Sequence, residues 1–394
     1  ILPTNYQVIA YYAIIGFIIL ILNNHILNMD SSFITDNLSS FNKEGALKHG
    51  LPSMAYTSEE FYKTECQTVF SNNWVFVGFA HEFNEPGDAV PVNVAGQPVL
   101  LIKNVNGSIN AFHNSCSHRC LKIVDKACNV GSMLSCPYHS WTYNLDGDLC
   151  ATPFFGGREH QPEGFNMTEH GLHSVKIAIW HDWIFVNLNS ESQDFEEYAK
   201  PLINNFQDID FKKMNPVATL DFGEIETNWK FLMENFIEPY HVQFVHRTTT
   251  NQPLEDHYTI VDGVCVGSAI DLDENDKVEG SLSVSSRYLT LFPNFIIGRY
   301  FPDQIGVYLN VPTDSGHTLQ KRVIYTTDGK AISDKSVEEI KKLWWDVHKE
   351  DHAICEKMQL GRLSPVAKNG GLLSPYWEDS VRAFQQMVAD AVSK

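Results

Sequence analysis

The sequence is poor in cysteine and in basic residues, and no part of it carries a long excess of positive charge. Eight cysteines are spread thinly over 394 residues, unlike the dense framework of small secreted disulfide proteins. Lysine and arginine number 29 against 48 acidic residues, and the resulting net charge of −19 argues against nucleic acid as a partner. We therefore expect a reducing, cytoplasmic location and no nucleic-acid binding.

A confident transmembrane helix is also missing. The longest apolar run, Val8–Leu22, has fifteen residues, fewer than the roughly eighteen expected of a membrane span. No lysine or arginine precedes Lys43, so neither a signal peptide nor an oriented span is indicated. Since the chain begins with Ile1 and its first methionine is Met29, we expect residues 1–28 to be an upstream extension and membrane binding to be absent. The alternative is that the same run is a genuine N-terminal anchor.

The most informative stretch runs from Cys116 to His139. It holds Cys116-x-His118 and, seventeen residues later, Cys136-x2-His139, so two short loops each offer one thiolate and one imidazole. Two sulfurs and two ring nitrogens suit either a structural zinc ion or an iron–sulfur pair in which histidines replace cysteines on one iron. Spacing favours the iron–sulfur cluster, because zinc ribbons usually pair Cys-x2-Cys knuckles.

A second set of candidate metal ligands follows in the C-terminal half. His241 and His246 are five residues apart, and on one continuous helix their rings would point roughly 140° apart. Pro239 supplies a break that allows the two rings to converge. A carboxylate would complete a two-histidine, one-carboxylate iron site. We favour Asp351, because it shares a helix face with apolar residues, whereas Glu350 falls on another face.

The elements predicted before residue 190 are one helix and a series of short strands. The helix covers Ser58–Phe70, where a polar cap precedes apolar residues at helical spacing. Alternating strands with turn signals between them indicate a small antiparallel sandwich or barrel. The predicted strands are Trp74–Phe79, Ala89–Val94, Pro98–Lys103, Ile109–His113 and Trp180–Asn187.

A shift in composition after Ser190 marks a second domain. Helical patterns there cover Phe195–Phe206, Asn228–Val245 and Ser336–Gln359. Between them lie strands of a larger antiparallel sheet, predicted at Tyr258–Val266, Asn294–Tyr300, Ile305–Val311 and Gln320–Thr327.

Together these patterns resemble the catalytic, or alpha, subunit of the Rieske non-haem iron oxygenases, the ring-hydroxylating dioxygenase and quaternary-amine monooxygenase family. The resemblance covers nearly all of residues 50–394. It is carried by the cluster pattern, by the run from Glu234 to His241 followed by His246, and by Glu350-Asp351. It implies an α+β fold: an N-terminal Rieske all-β domain, then a helix-grip-like antiparallel sheet domain with flanking helices.

The resemblance divides the chain into four parts: the apolar extension, an N-terminal arm at 29–56, the Rieske [2Fe–2S] domain at 57–190 and the catalytic domain at 191–394. It implies that Cys116 and Cys136 bind one cluster iron, and that His118 and His139 bind the other. Cys120 and Cys128 are expected to be free thiols, since Tyr138 stands where related proteins with a stapling disulfide place the partner cysteine.

For the second site, the resemblance implies that His241, His246 and Asp351 bind a mononuclear Fe(II). Glu238 falls where the family has an acidic residue that joins the two metal centres. The subunits would form a head-to-tail homotrimer, because the centres of one subunit are too far apart for rapid electron transfer. Many family members that hydroxylate rings have Asp at this position, so Glu238 favours relatives acting on quaternary amines.

The implied function is a terminal oxygenase component that uses O2 and reductase-supplied electrons to hydroxylate a small organic substrate, as aromatic ring-hydroxylating dioxygenases do. The alternative is a monooxygenase or N-demethylase of a choline-, glycine betaine- or carnitine-like quaternary amine. NAD(P)H would act through a separate reductase, with or without a ferredoxin, because no Gly-x-Gly-x-x-Gly fingerprint occurs in the chain. Aromatic residues available to line either pocket are Tyr240, Phe244, Tyr288, Phe292, Phe295, Trp344 and Trp345.

Two other classes of protein remain open at this point. An electron carrier with a Rieske cluster would lack the second metal site, which His241, His246 and Asp351 speak against. A membrane-anchored assembly factor would rest on the N-terminal apolar run alone.

Overall fold

A computed structural model describes residues 38–394, apart from positions 44, 46, 159–160, 250–253, 274, 276–283, 302 and 331–332. The apolar run Val8–Leu22 and the expected extension at 1–28 lie outside the described residues. Within the described part of the chain, no helix is long and apolar enough to cross a membrane.

The described residues up to 190 form short strands and two consecutive helices. The helices are α1 (Met54–Thr57) and α2 (Glu59–Glu65), and α2 continues as a π-helical turn at Cys66–Phe70. The strands are β1 (Lys48–His49), β2 (Val75–Phe79), β3 (Asp88–Val94), β4 (Gln97–Lys103), β5 (Ile109–His113), β6 (Cys128–Asn129), β7 (Met133–Ser135), β8 (Thr142–Asn144), β9 (Leu149–Ala151), β10 (Lys176–Trp180) and β11 (Trp183–Asn187).

These strands build three small antiparallel sheets, with orders β5-β4-β3-β6, β10-β11-β2 and β7-β8-β9. The predicted all-β character of this region is confirmed. The prediction of one strand at Trp180–Asn187 is wrong, because Trp180 ends β10 and pairs with Trp183 across a two-residue turn. His181 in that turn has a φ of 58°, which reverses the chain in the way tight hairpins require.

The second region contains a larger sheet and the main helices. Its helices are α3 (Phe195–Asn204), α4 (Trp229–Ile237), α5 (Val242–Val245), α6 (Asp334–Gly361) and α7 (Asp379–Val392). Its strands are β12 (Asn215–Ile225), β13 (His257–Asp262), β14 (Cys265–Asp271), β15 (Ser285–Leu291), β16 (Phe295–Tyr300), β17 (Gln304–Pro312), β18 (Thr318–Thr326) and the short β19 (Leu372–Leu373), which pairs with β1.

Strands β12 to β18 form one antiparallel sheet of order β12-β18-β17-β16-β15-β14-β13. The predicted α+β fold with helices flanking an antiparallel sheet is therefore confirmed. The single strand predicted at Tyr258–Val266 is wrong, because Asp262 pairs with Cys265 across a tight turn. Gly263 in this turn has a φ of 55°, a conformation that glycine adopts without the steric cost of a Cβ atom.

Most residues of helix α4 are apolar, and the helix is accordingly buried on several sides. Asn228 caps it by accepting a hydrogen bond from the Lys230 backbone N–H. The helix ends at Ile237, and the next residue, Glu238, is extended, with φ −111° and ψ 141°. Pro239 disfavours helical geometry at the residue before it, so the single helix predicted at Asn228–Val245 is wrong, while the predicted break near Pro239 is confirmed.

A buried ion pair anchors this helix to α2. Lys230 Nζ lies 2.6 Å from Glu65 Oε1, and both side chains are completely buried. The Trp229 indole N–H donates to the other carboxylate oxygen at 3.2 Å. Loss of one partner of such a pair costs about 3–5 kcal/mol, so the start of α4 is held firmly in place.

Helix α6 packs beside α4 and is fixed in register near its C-terminal end. Cys355 is fully buried, and its backbone oxygen accepts a hydrogen bond from Thr227 Oγ1 at 3.1 Å. One turn later, the Gln359 side chain donates to the Tyr56 carbonyl oxygen and accepts from the Asn228 backbone N–H. These contacts determine which residues of α6 face α4.

Candidate metal centres

The two loops that contain the Cys-His pairs have the same backbone design. Cys116 N–H donates to the Leu121 carbonyl, and Cys136 N–H donates to the Trp141 carbonyl, five residues ahead in each case. The residue four positions after each cysteine, Cys120 or Ser140, donates its N–H back to the cysteine carbonyl. Both of these residues have positive φ values, 55° and 57°.

This repeated turn places two thiols inside and two imidazoles outside. Cys116 and Cys136 are each 2% exposed. The rings of His118 and His139 are nearer the surface, with centroids 4.6 Å apart. The structure therefore brings all four sequence-predicted residues together as two sulfurs and two imidazoles.

Polar groups around the sulfurs suit thiolate ligands. Burial raises the pKa of the Cys136 thiol, while the backbone N–H groups of Tyr138 and His139 act in the opposite direction by hydrogen bonding to the sulfur. On the first loop, Tyr143 OH lies 3.2 Å from Cys116 Sγ. A thiolate that accepts such hydrogen bonds is what a [2Fe–2S] cluster requires, so these loops fit the cluster.

All eight cysteines are free, as expected for Cys120 and Cys128. Cys120 occupies the turn position of the first loop and Cys128 lies in β6, and both are exposed.

The second centre forms where the chain breaks between α4 and α5. His241 precedes α5, His246 follows it, and Asp351 reaches toward them from α6. The potential ligand atoms of these three residues lie within 4.8 Å of one another. His246 Nε2 is 3.0 Å and His241 Nε2 is 3.6 Å from Asp351 Oδ1.

The outer nitrogen of each histidine is already occupied by a carboxylate. His241 Nδ1 lies 2.7 Å from Glu238 Oε1, and His246 Nδ1 lies 2.7 Å from Glu350 Oε2. A proton on each Nδ1 satisfies these contacts and leaves the Nε2 lone pairs directed at the centre, as in many metal sites.

The donor set fits a divalent iron. Asp351 Oδ1 is buried, and although His246 Nε2 lies 3.0 Å away, it accepts no hydrogen bond of normal geometry within the described residues. A buried carboxylate oxygen in this position favours a bound cation. Burial lowers the pKa of His246, but Asp351 and Glu350 outweigh burial and raise it to about 9. The same centre thus attracts positive charge, and two imidazoles with one carboxylate are the facial set used for non-haem Fe(II).

Glu350 was missed as a contributor to this centre. Neighbouring helix residues point about 100° apart, which is why the sequence pattern separated it from Asp351. The longer Glu350 side chain nevertheless reaches His246, and it also accepts a hydrogen bond from Thr249 Oγ1 at 2.8 Å. The adjacent acid pair Glu350-Asp351 was the only sequence signal available.

A cavity of about 270 Å³ opens beside the second centre, between α4, α6 and the large sheet. This volume is near the lower end of the roughly 300–1,000 Å³ found for ligand sites, so the cavity suits a small molecule. Its wall is mainly apolar and aromatic. The aromatic residues that line it are Phe236, Tyr288, Tyr300, Phe301, Tyr308 and Trp344.

Of the seven aromatic residues proposed from the sequence, Tyr288 and Trp344 line this cavity. Phe292 and Phe295 instead lie in the hydrophobic core. The remaining three are exposed on the surface: Tyr240, Phe244 and Trp345.

Behind the aromatic wall lies Arg322, which sequence reasoning also missed. It is fully buried in β18, and its Cζ is 3.7 Å from the Trp344 ring centroid. Gly306 makes room for it, because a Cβ at that position would clash with the guanidinium. Arg322 Nη1 lies 3.1 Å from His348 Nε2, and no carboxylate of the described residues forms a salt bridge with it.

Comparison with known families matches both halves of the chain. Residues 73–161 match the Rieske [2Fe-2S] domain, and residues 208–394 match the ring hydroxylating alpha subunit catalytic domain. Fold and sites together define a redox enzyme with an iron–sulfur cluster and a separate mononuclear iron. The chain belongs to the Rieske non-haem iron oxygenases, as a catalytic alpha subunit.

Relatives act on more than one kind of substrate. The chloroplastic choline monooxygenase of Amaranthus tricolor is 27% identical over 337 residues, covering 82% of this chain and 74% of the relative. The large oxygenase component of salicylate 5-hydroxylase from Ralstonia is 31% identical over 205 residues, covering 50% and 48%. A solved quaternary ammonium Rieske monooxygenase has the same fold, with a TM-score of 0.74 and 20% identity over 90% of this chain and 97% of that one.

As a member of this family, the protein is an oxidoreductase that uses O2, a small substrate and electrons supplied through a reductase or ferredoxin. Its cofactors are a Rieske cluster and a mononuclear iron, with NAD(P)H serving through the reductase. The electron-carrier and assembly-factor alternatives are therefore set aside.

Proposed function

We propose that this chain hydroxylates a small aromatic compound in the cavity beside His241, His246 and Asp351. The observation that carries the proposal is the convergence of these three side chains at the edge of a cavity with six aromatic residues in its wall. In this assignment the three residues hold Fe(II). When both groups are bound, the cluster supplies electrons and the iron activates dioxygen.

In the cluster loops, Cys116 and Cys136 would bind one iron, and His118 and His139 the other. The buried sulfurs and the outer imidazoles support this division, because the histidine side is the one nearer the surface. Electrons would therefore pass most directly through the histidine edge.

The acids around the iron site orient its histidines. Glu238 and Glu350 each hold a proton on Nδ1 of one imidazole, so that Nε2 remains free to bind the metal. Glu238 is further fixed because its Oε2 accepts the backbone N–H groups of Tyr240 and His241. The aromatic cavity wall restricts water beside the reacting substrate.

The position of Arg322 favours an aromatic over a cationic substrate. Its guanidinium already packs on Trp344, Tyr308 and Tyr300, at 3.7, 4.8 and 5.1 Å from the ring centroids. A cation on the cavity side, about 8 Å away, would be repelled by about 2 kcal/mol at an effective dielectric constant of about 20. A cation–π contact contributes about 0.5–2 kcal/mol, so the repulsion offsets the attraction on this wall.

A quaternary amine is the second candidate, supported by the choline monooxygenase relative that aligns with 82% of the chain. Two other rings of the cavity, Phe236 and Tyr288, have centroids 6.2 Å apart. These rings offer a separate place for a cation.

Oxygen uptake with NADH and a surrogate reductase separates the two candidates. Aromatic acids and N-methylated amines should be supplied in parallel, and the products identified. A hydroxylated arene or a cis-diol supports the first candidate. Formaldehyde, released when an N-methyl group is hydroxylated, supports the second. If oxygen uptake is tightly coupled to hydroxylation of neither class of compound, both candidate functions are contradicted.

We further propose that three subunits form a head-to-tail ring, in which the cluster loops of one copy face Glu238 of the next. In this arrangement Glu238 would also accept a hydrogen bond from His139 of the neighbouring copy. Exposed aromatic side chains flank both regions, with Tyr138 53% exposed near the cluster loops and Phe244 53% exposed near the iron site. The solved quaternary ammonium monooxygenase is described with inter-subunit electron transfer, which also supports the ring.

Mixed assemblies test this directly. A Cys136→Ser subunit should lack the cluster, and a His246→Ala subunit should lack the mononuclear iron. When the two variants are co-expressed in equal amounts and assemble at random, about three quarters of the head-to-tail trimers contain both. Each mixed ring has one junction of its three at which an intact cluster faces an intact iron site. The mixture should therefore retain about a quarter of wild-type activity. Each variant alone should be inactive, and an inactive mixture would contradict transfer between subunits.

The domain boundaries and location complete the proposal. We place the Rieske domain at 57–190 and the catalytic domain at 191–394, preceded by the arm at 29–56. A cytoplasmic location is supported by eight free cysteines. Fractionation with cytoplasmic and membrane markers tests the location.

A further inference from the structure

One cavity histidine has no partner for either ring nitrogen. His257, the first residue of β13, is 7% exposed and lines the cavity beside the proposed iron site. Neither its Nδ1 nor its Nε2 has a hydrogen-bond partner among the described residues. Burial of a polar group without a hydrogen bond is unfavourable, so the two ring nitrogens indicate a bound ligand that would hydrogen bond to them.

The other four histidines of the cavity are all engaged. His241 and His246 contact carboxylates, as described above. His348 Nε2 contacts Arg322 Nη1 at 3.1 Å, and His352 Nε2 contacts Gln320 Oε1 at 2.7 Å. Within the part of the cavity that the structure describes, His257 is therefore the histidine left with unused hydrogen-bonding capacity.

The surroundings keep His257 neutral. Burial lowers its pKa to about 4, against smaller opposing effects of Asp256 and Glu238. A neutral imidazole offers one N–H donor and one nitrogen acceptor, which matches a hydroxyl group and also suits a carboxylate oxygen. The Tyr288 ring, with its centroid 5.8 Å from that of His257, makes the adjacent surface aromatic.

We propose that His257 binds an oxygen substituent of the substrate, a hydroxyl or carboxylate group, and thereby selects oxygen-bearing substrates. This inference rests on the proposed function, since it places the substrate in the cavity beside His241, His246 and Asp351. The single hydrogen bond would fix one end of the substrate and so determine which of its carbons faces the iron ligands.

Two pairs of probes test the inference, each pair differing in the presence of an oxygen group: benzoate with toluene, and choline with ethyltrimethylammonium. Dissociation constants for the metal-loaded protein should be measured by calorimetry, alongside kcat/KM from oxygen uptake. Wild-type protein should prefer the oxygen-bearing member of at least one pair by about tenfold or more.

Substitutions then locate the preference. His257→Phe should reduce that preference by about tenfold, whereas His257→Gln, whose amide also donates and accepts, should retain most of it. Tyr258→Phe is the matched control, because the neighbouring side chain is 43% exposed and hydrogen bonds to Asp271 instead. Iron content should be unchanged in all three variants.

Absence of a preference in both pairs for the wild-type protein would overturn the inference, as would a His257→Phe variant that keeps the wild-type preference. Calorimetry requires no turnover, so the preference is measured even if oxygen uptake fails. Failure of uptake together with retained iron in His246→Ala would instead count against the proposed function.

Discussion

The two candidate metal centres are assembled from the chain in different ways. The cluster loops take their four candidate ligands from the single stretch Cys116–His139, and each loop repeats the same backbone turn. The iron site joins a broken helix to a distant one, and its contact between His246 and Glu350 spans 104 residues. Local turns can therefore shape the first centre, whereas the second depends on how α4 and α6 pack.

The largest effect is expected from Cys136→Ser, which removes a proposed ligand of the cluster held by the two local loops. Its sulfur is buried and is approached by backbone N–H groups, so serine should not replace it as a cluster ligand. We expect loss of the cluster absorbance and of about two irons per chain, with no turnover. Cys150→Ser, at an exposed cysteine, is the control. Retention of a normal cluster would refute the assignment.

His246→Ala tests the proposed iron site, which depends on the packing of distant elements. It should remove about one iron per chain while leaving the cluster spectrum intact, because the two centres fold from separate elements. His317→Ala is a suitable control, since that histidine also contacts a carboxylate, Asp314, but is not among the residues that line the cavity. Metal analysis with visible spectroscopy gives the result. Simultaneous loss of the cluster would contradict the separation.

Glu238→Gln probes the proposed connection between the centres. Both metals should remain, while oxygen uptake falls by about 100-fold, the upper range for loss of a group that orients a metal ligand. The reason is that the amide replaces a carboxylate that holds His241 Nδ1 at 2.7 Å. Rapid-mixing measurement of cluster oxidation locates the slow step. A wild-type rate of turnover in this variant would contradict a bridging role for Glu238.

A smaller change is expected from Glu350→Gln. The amide can still contact His246, but it no longer offers a negative charge, so iron affinity should fall by about tenfold. Glu356→Gln on the same helix is the control, because its side chain makes no hydrogen bond or ion pair within the described residues. Iron titration of metal-depleted protein measures the difference. Equal affinities for Glu350→Gln and the control would leave Glu350 without a role.

The smallest effect concerns tuning of the cluster. Tyr143 OH lies 3.2 Å from Cys116 Sγ and accepts the Ser117 backbone N–H at 3.0 Å. Loss of the hydroxyl group in Tyr143→Phe should lower the reduction potential of the cluster, because a hydrogen bond to the sulfur favours the more negative, reduced cluster. A redox titration measures this, with exposed Tyr376→Phe as control. An unchanged potential would show that Tyr143 is only structural.

The features that could be predicted from the sequence are those formed within one local segment of the chain. The spacing of Cys116, His118, Cys136 and His139 lies within one segment, so these candidates could be chosen without knowledge of packing. The helix break at Pro239 was also predictable, because proline acts on its own backbone and on the residue before it.

Contributions that depend on distant packing were harder to predict. Glu350 does lie on a different helix face from Asp351, but helical periodicity ignores the length of the side chain with which Glu350 reaches His246. His257 and Arg322 carry no recognisable motif. Their significance comes from burial and from missing partners, which only the folded sheet reveals. The two strands that were predicted wrongly run across His181-Asp182 and Asp262-Gly263, polar pairs at which the chain turns between apolar residues.

The most direct test of the account is the iron and acid-labile sulfide content of anaerobically purified protein. Two separate centres predict about three irons and two sulfides per chain, from one [2Fe–2S] cluster and one mononuclear iron. The His246→Ala protein, prepared in parallel, should hold about two of each. A wild-type protein with equal iron and sulfide, unchanged by this substitution, would contradict a second iron centre at His241, His246 and Asp351.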